Sequence, residues 1–105
     1  MKKLLLFSIL LALVACSPKV IAPTQADADR SKGTSLTELQ RGHELYTAHC
    51  GSCHGLKSPT EYGASSWERI VPDMVKKVNK KAGTTALSST DETLIRQYVL
   101  AMCTK

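Results

Sequence analysis

Aromatic residues are scarce in this chain of 105 residues, which has one tryptophan, one phenylalanine and three tyrosines. A small domain with so few rings builds a limited side-chain core and usually needs a further stabilising group. No apolar run reaches the roughly twenty residues that a membrane-spanning helix requires. No stretch alternates apolar and polar residues between hairpin signals, so the sequence predicts an all-α fold.

The N-terminus has the features of an export signal. Lys2 and Lys3 precede an apolar run over 4–14, whose last residues, Leu13 and Val14, are followed by Ala15 and Cys16. This ending resembles the lipobox of bacterial lipoproteins, in which the cysteine becomes the lipid-bearing N-terminus. We therefore expect residues 1–15 to be a signal peptide and Cys16 to be lipidated. The chain would then be exported and anchored to a bacterial membrane, facing the periplasm or cell envelope; the alternative is an ordinary signal peptide cut nearby.

The rest of the chain divides into a linker and one domain. Loss of residues 1–15 lowers the formal charge from +5 to +3, because Lys2 and Lys3 go with them. Residues 16–34 are rich in proline, alanine, aspartate and serine, and we expect a flexible, extended tether there. Residues 35–105 then form a single small domain.

The most informative motif is Cys50-Gly-Ser-Cys53-His54. Two thiols at this spacing can add to the vinyl groups of one haem, and the following histidine can ligate its iron. The predicted cofactor is therefore one covalent haem c. Two alternatives remain: a redox disulfide, which needs a βαβ setting that the sequence does not indicate, and half of a zinc site, for which no second ligand pair follows.

Three helices are predicted in the domain. The first covers about Ser35 to His49, with a capping box formed by Ser35 and Glu38. Gly42 lies inside this helix at a cost of about 1 kcal/mol relative to alanine. We expect a second helix to approach closely there, although a merely tolerated glycine is the alternative.

The other two helices follow the motif. The middle one covers about 65–81, with Ser65 as a cap and Pro72 as a kink or a break into two helices. The last one covers about Ser89 to Met102, with a capping box formed by Ser89 and Glu92.

Four segments resemble the small monohaem c-type cytochromes of class I: 42–46, 50–54, 67–74 and 87–98. The resemblance implies a cytochrome c-like domain of three to four helices wrapped around one haem. It also implies that the N- and C-terminal helices cross through Gly42, Tyr46 and Tyr98. It further implies that the carbonyl of Pro59 accepts a hydrogen bond from His54, the alternative being a proline that only shapes the loop. The function that follows is one-electron transfer without enzymatic activity.

The sixth iron ligand is the least determined feature. Met74 is the candidate, because it lies twenty residues after His54 in the stretch that must cover the open haem face. A thioether opposite histidine favours electron transfer. The alternatives are Met102, one of the histidines His43 and His49, an open site, or a methionine that simply fills the core.

Partners and competing functions follow from the same features. The expected partners are other redox proteins or a respiratory or oxidase complex, together with the membrane through the lipid; we expect a monomer and no nucleic acid. A lysine cluster over 76–81 is either a solvated face or a surface that attracts an acidic partner or the membrane. No role is predicted for Cys103; the alternative is that it forms an intermolecular disulfide. The competing functions are a ligand-sensing haem domain with an open sixth site and a dithiol oxidoreductase.

Overall fold

Four α-helices make up most of the part of the chain that this computed structural model describes, residues 20–51 and 55–104. They are α1 (Gln25–Arg30), α2 (Leu36–His49), α3 (Ala64–Ala82) and α4 (Ser89–Met102), with a short 3-10 turn at Pro59–Glu61. Those two ranges contain no strand, and the all-α prediction is confirmed for them. The predicted signal peptide, Cys16, Cys53 and His54 lie outside the described residues.

Helix α2 begins as its sequence predicts. The Ser35 hydroxyl accepts a hydrogen bond from the Glu38 N–H at 3.1 Å, and the Glu38 carboxylate accepts one from the Ser35 N–H at 2.9 Å. Each side chain therefore satisfies a donor that the helix start leaves open. The helix ends at His49, and Cys50 caps it by donating its N–H to the Tyr46 carbonyl at 3.0 Å.

Helices α2 and α4 cross at Gly42, and the expected close approach is confirmed. A β-carbon at this position would lie 2.2 Å from the Leu94 carbonyl oxygen and 2.8 Å from the Tyr98 β-carbon. The first of these atoms belongs to the backbone of α4 and cannot turn away. Only glycine allows the two helices to pack at this distance.

Helix α3 differs from its prediction at two points. It begins after Gly63, which is its N-cap residue and makes no side-chain hydrogen bond to the helix. The predicted cap at Ser65 is therefore wrong. Helix α3 also continues through Pro72 as one helix, so the predicted division into two helices is wrong, while the alternative of a kink stays a prediction. Pro72 has no N–H to donate to the carbonyl of Glu68, four residues earlier. Glu68 and Pro72 are both exposed, so water can hydrogen-bond to that carbonyl.

Helix α4 is capped one residue earlier than predicted. The Ser88 hydroxyl accepts from the Asp91 N–H at 3.1 Å, and the Asp91 carboxylate accepts from the Ser88 N–H at 3.0 Å. The sequence offers two overlapping boxes with the same spacing, Ser88 with Asp91 and Ser89 with Glu92, and the pattern alone cannot choose between them.

Helix α1 lies where an extended tether was expected, and that expectation is wrong for Gln25–Arg30. The Asp27 carboxylate accepts hydrogen bonds from the backbone N–H and hydroxyl of Thr24, at 2.8 and 3.1 Å. These bonds close the first turn, and Asp27 is also paired with Arg30 at the end of the helix. Composition identified a polar stretch but not this local capping pattern.

The core lies where α2, α3 and α4 meet. Tyr46, Trp67 and Tyr98 are its largest buried side chains, each no more than 1% exposed. Tyr46 lies edge-on to Trp67 at 6.0 Å between ring centroids, and its centroid is 5.8 Å from that of Tyr98. The tyrosines and the tryptophan of the described residues are therefore concentrated in one cluster, where rings in edge-to-face or tilted contact stabilise one another.

Candidate cofactor-binding site

A cavity of about 170 Å³ lies between the C-terminal end of α2 and one face of α3. The end of α2 contributes Tyr46 and Cys50 to its wall, and the connection between the helices contributes Gly55, Lys57 and Tyr62. The remaining lining comes from α3, namely Trp67, Ile70, Asp73, Met74 and Lys77. The cavity thus joins the first residue of the C-x-x-C-H motif to the predicted distal ligand.

Cys50 enters this cavity from the end of a helix. It is the C-cap of α2 and is 5% exposed. Dithiol redox enzymes place their reactive thiols at helix N-termini, whereas Cys50 lies at the C-terminal end of its helix. A buried thiol facing a cavity is better placed for covalent attachment to a bound group than for exchange with other disulfides.

Met74 enters the cavity from α3. It is half-buried, packs against the hydrophobic core and lines the cavity together with Trp67 and Ile70. Positions 67, 70, 74 and 77 follow one another at helical spacing, so they form a single stripe along α3. A thioether on this stripe faces the same space as the Cys50 thiol.

Two aromatic side chains hold the connection that follows the motif. The Tyr46 hydroxyl donates to the Lys57 carbonyl, and the Trp67 indole N–H donates to the Pro59 carbonyl at 2.7 Å. Both rings are buried, and the bond of Trp67 is buried as a whole, whereas the bond of Tyr46 to Lys57 is partly buried. The backbone over 57–59 is therefore fixed against α2 and α3 at the edge of the cavity.

Burial also determines how Tyr46 behaves as an acid. Removal of its hydroxyl from water raises the pKa of Tyr46 above the ordinary value of 10.0, and the nearby Cys50 raises it further. The phenol is therefore neutral at physiological pH and acts as a hydrogen-bond donor.

The mouth of the cavity is charged. Lys57, Asp73 and Lys77 line it, and the Lys77 ammonium lies 3.2 Å from the Asp73 carboxylate. Both partners of this ion pair are largely exposed, so it contributes little to stability. Lysines 76, 80 and 81 extend the exposed basic surface along the same helix.

The other candidate iron ligands are not among the described residues that line the cavity. Met102 is 3% exposed in the core, and the His43 ring lies 5.2 Å from the Tyr98 ring at the helix crossing. Neither of these residues, nor His49, is among the described residues that line the cavity. Cys103 is half-buried, its thiol donates to the Leu100 carbonyl at 3.5 Å, and burial raises its pKa, which lowers its reactivity.

The donor atoms and walls of the cavity are of a kind that can bind a haem, but its volume is too small to enclose one. A thiol and a thioether face one space, and Tyr46, Trp67 and Ile70 supply apolar surface for a flat aromatic group. A porphyrin is larger than the cavity, so part of it would project through the mouth or α3 would lie further from α2 when it is bound. Among the described residues, no three His, Cys, Asp or Glu side chains converge as a metal site would require.

Several cavity residues were not predicted from the sequence. Tyr46 was assigned to the helix crossing, and Lys57, Tyr62, Ile70 and Asp73 were not assigned to the site. The signal that was present is the stripe on α3, because Trp67, Ile70 and Lys77 share the helical spacing of Met74. The role of Pro59 was anticipated as a carbonyl acceptor, but its donor in the described residues is Trp67.

No helix in the described part of the chain is both long and apolar enough to cross a membrane. Comparison of the chain with family models, with curated proteins and with solved structures found no match.

Proposed function

We propose that this chain is a lipid-anchored monohaem c-type cytochrome that carries single electrons. Cys50 and Cys53 would hold the haem covalently, and His54 and Met74 would ligate its iron. The observation that supports the proposal most strongly is that Cys50, where the attachment motif begins, and Met74 line one cavity. When bound, the haem supplies a one-electron couple between Fe(II) and Fe(III).

The residues around the cavity have separate tasks in this proposal. Trp67 and Ile70 cover the group with apolar surface and exclude water, which favours electron exchange over ligand binding. Tyr46 and Trp67 hold the backbone over 57–59 through the hydrogen bonds described above. That rigidity supports the segment that follows His54. Lys57 and Lys77 place positive charge at the mouth, where an acidic redox partner would be attracted.

Occupation of the sixth position separates a carrier from a sensor. We expect the exported, oxidised full-length chain to show the near-infrared band of methionine–iron ligation and its reduced form to bind carbon monoxide poorly. The Met74→Leu variant should lose the band and bind carbon monoxide readily, because leucine keeps the apolar volume but supplies no sulfur.

Met102→Leu is the matched control, since Met102 is buried in the core away from the described cavity lining. It should keep both the band and the resistance to carbon monoxide. Haem-containing wild-type protein that lacks the band and binds carbon monoxide would contradict the carrier function and favour a sensing domain.

A further inference from the structure

The segment Val20–Ser31, here called the latch, carries a carboxylate, that of Asp27, which is buried when the segment lies on the domain. Asp27 is 1% exposed, and it accepts hydrogen bonds from Thr24 at 2.8 and 3.1 Å. The Arg30 guanidinium lies 2.6 Å from its other carboxylate oxygen. These three bonds lie within the latch, and they compensate Asp27 for the loss of water that docking causes.

Further contacts join the latch to α4. The Tyr98 hydroxyl donates to the Ile21 carbonyl at 2.8 Å, and Arg30 lies 3.4 Å from the Ala101 carbonyl. Val20 packs against the hydrophobic core. The pKa of Tyr98 is raised, first by burial and then by the nearby Asp27 carboxylate, which places that charge close to the helix crossing.

We propose that the latch controls how far the domain can move from its lipid anchor. This inference rests on the lipidation of Cys16 proposed above. Four residue steps separate Cys16 from Val20, so a docked latch keeps the edge of the domain within about 14 Å of the anchored cysteine. If the latch is released up to Ser35, nineteen steps are available, and the limit rises to about 65 Å.

The docked and released states differ in the partners that they reach. A docked latch holds the domain beside the bilayer in a narrow set of orientations, which suits exchange with a partner in the same membrane. A released latch is a polar chain that lets the domain search a larger volume. Helix α1 has six residues, too few for stability on its own in water, so release also melts the helix.

Hydrogen exchange on the full-length lipidated chain tests the docking directly. The Ala28 and Ser31 amides donate to the Thr24 and Asp27 carbonyls within the latch. In Asp27→Asn we expect their protection to fall about 100-fold, because the Arg30 guanidinium loses its buried charge partner. Asp29→Asn is the matched control, since Asp29 is exposed on the same helix, and it should leave protection unchanged.

Protection at the amides of α2 and α4 should stay as in the wild type, which shows that the domain remains folded. If Asp27→Asn unfolds the whole domain, Arg30→Gln removes the same ion pair from its exposed end and should release the latch alone. Unchanged protection of the latch in both variants, or a wild-type latch without protection, would overturn the proposal.

Energy transfer on vesicles tests the reach. A donor dye at Thr37→Cys in a Cys103→Ser background, with acceptor dyes in the bilayer, should give one narrow distance distribution for the wild-type latch. Asp27→Asn should broaden it towards longer distances, and Asp29→Asn should not. Equal distributions would overturn the control of reach. A chain that does not carry lipid at Cys16 would overturn the anchor and the reach together, while the exchange result still decides whether the latch docks.

Discussion

Helix α2 packs closely against α4 at their crossing, but it leaves a cavity between itself and α3. At the crossing, Tyr98 is fully buried and Gly42 leaves no room for a β-carbon. At the C-terminal end of α2, Cys50 lines the cavity of about 170 Å³. Met74 lines the same cavity from α3 and is half-buried. One helix thus takes part in a closed interface and in an incomplete one.

This difference indicates where the domain is complete without any bound group. Close packing at the crossing supplies stability from the chain alone, because filled contacts are favourable wherever atoms meet at van der Waals distance. The wall formed by α3 leaves apolar side chains next to empty space, which forfeits those contacts. A haem bound there would restore them, so we expect its effect on stability to be concentrated on the α3 side.

The largest effect is expected from Gly42→Val at the crossing. A β-carbon would meet the Leu94 carbonyl at 2.2 Å, and the two helices would have to separate to admit the side chain. We expect a loss of at least about 3 kcal/mol in the free energy of unfolding, measured by urea denaturation and circular dichroism.

Gly63→Ser is the matched control, because nothing lies within 4 Å of a β-carbon there. Serine is a favourable residue at a helix N-cap, so we expect no loss of stability. A Gly42→Val protein as stable as the wild type would show that the crossing is looser than its geometry indicates.

The same substitution, isoleucine to alanine, can be made in the core and on the cavity wall, and its effect on stability compares the two regions. Ile95 is 1% exposed at the core, whereas Ile70 is half-buried on the wall of the cavity. Without haem, we expect Ile95→Ala to cost about 2–5 kcal/mol and Ile70→Ala about 1 kcal/mol or less. With haem attached, the cost at Ile70 should rise while that at Ile95 stays the same. Equal costs at Ile70 in the two forms would place the haem elsewhere.

A smaller loss of stability is expected at alkaline pH, from the ionisation of Tyr98 at the crossing. Burial, followed by the Asp27 charge, raises the pKa of Tyr98 above the ordinary value of 10.0. The folded state therefore holds this proton more tightly than the unfolded state. Its contribution to stability is complete below about pH 10 and is lost as the pH rises from there towards the folded pKa.

Unfolding followed by circular dichroism should therefore show stability falling above about pH 10, accompanied by tyrosinate absorbance. Tyr98→Phe should reduce this dependence, because it removes the titrating hydroxyl and leaves the ring. An unchanged pH profile in that variant would assign the alkaline transition to other groups.

The parts of the fold that the sequence predicted are those determined by local chemistry. The capping box of Ser35 and Glu38 fixes the start of α2, and Gly42 correctly indicated a close helix crossing. Helix α1 was missed because the polar composition indicated a tether, although Thr24 and Asp27 have the spacing of a capping box; its contacts with α4 leave no local signal. Pro72 was overrated as a breaker, since α3 continues through it and the carbonyl that it leaves without a donor belongs to an exposed residue.

The sequence anticipated that Cys50 and Met74 lie at one site, and both line the cavity, whereas their roles as haem donors stay predictions. The motif identified Cys50, and the position of Met74 on α3 was expected to cover the same space. The contributions of Tyr46 and Lys57 depend on how the connection after the motif folds back, and the Tyr46 hydrogen bond that holds it spans eleven residues. Contacts of this kind arise from tertiary packing and leave no periodic signal in the sequence.

The most direct measurement is a pyridine haemochrome spectrum of the full-length, exported protein after denaturation. Thioether bonds to Cys50 and Cys53 would keep the haem on the unfolded chain, so we expect one haem per chain with the spectrum of a c-type group. Cys50→Ser should alter that spectrum, because one thioether bond is lost. Denatured protein without haem, with Cys50 and Cys53 joined in a disulfide, would contradict the proposed cytochrome.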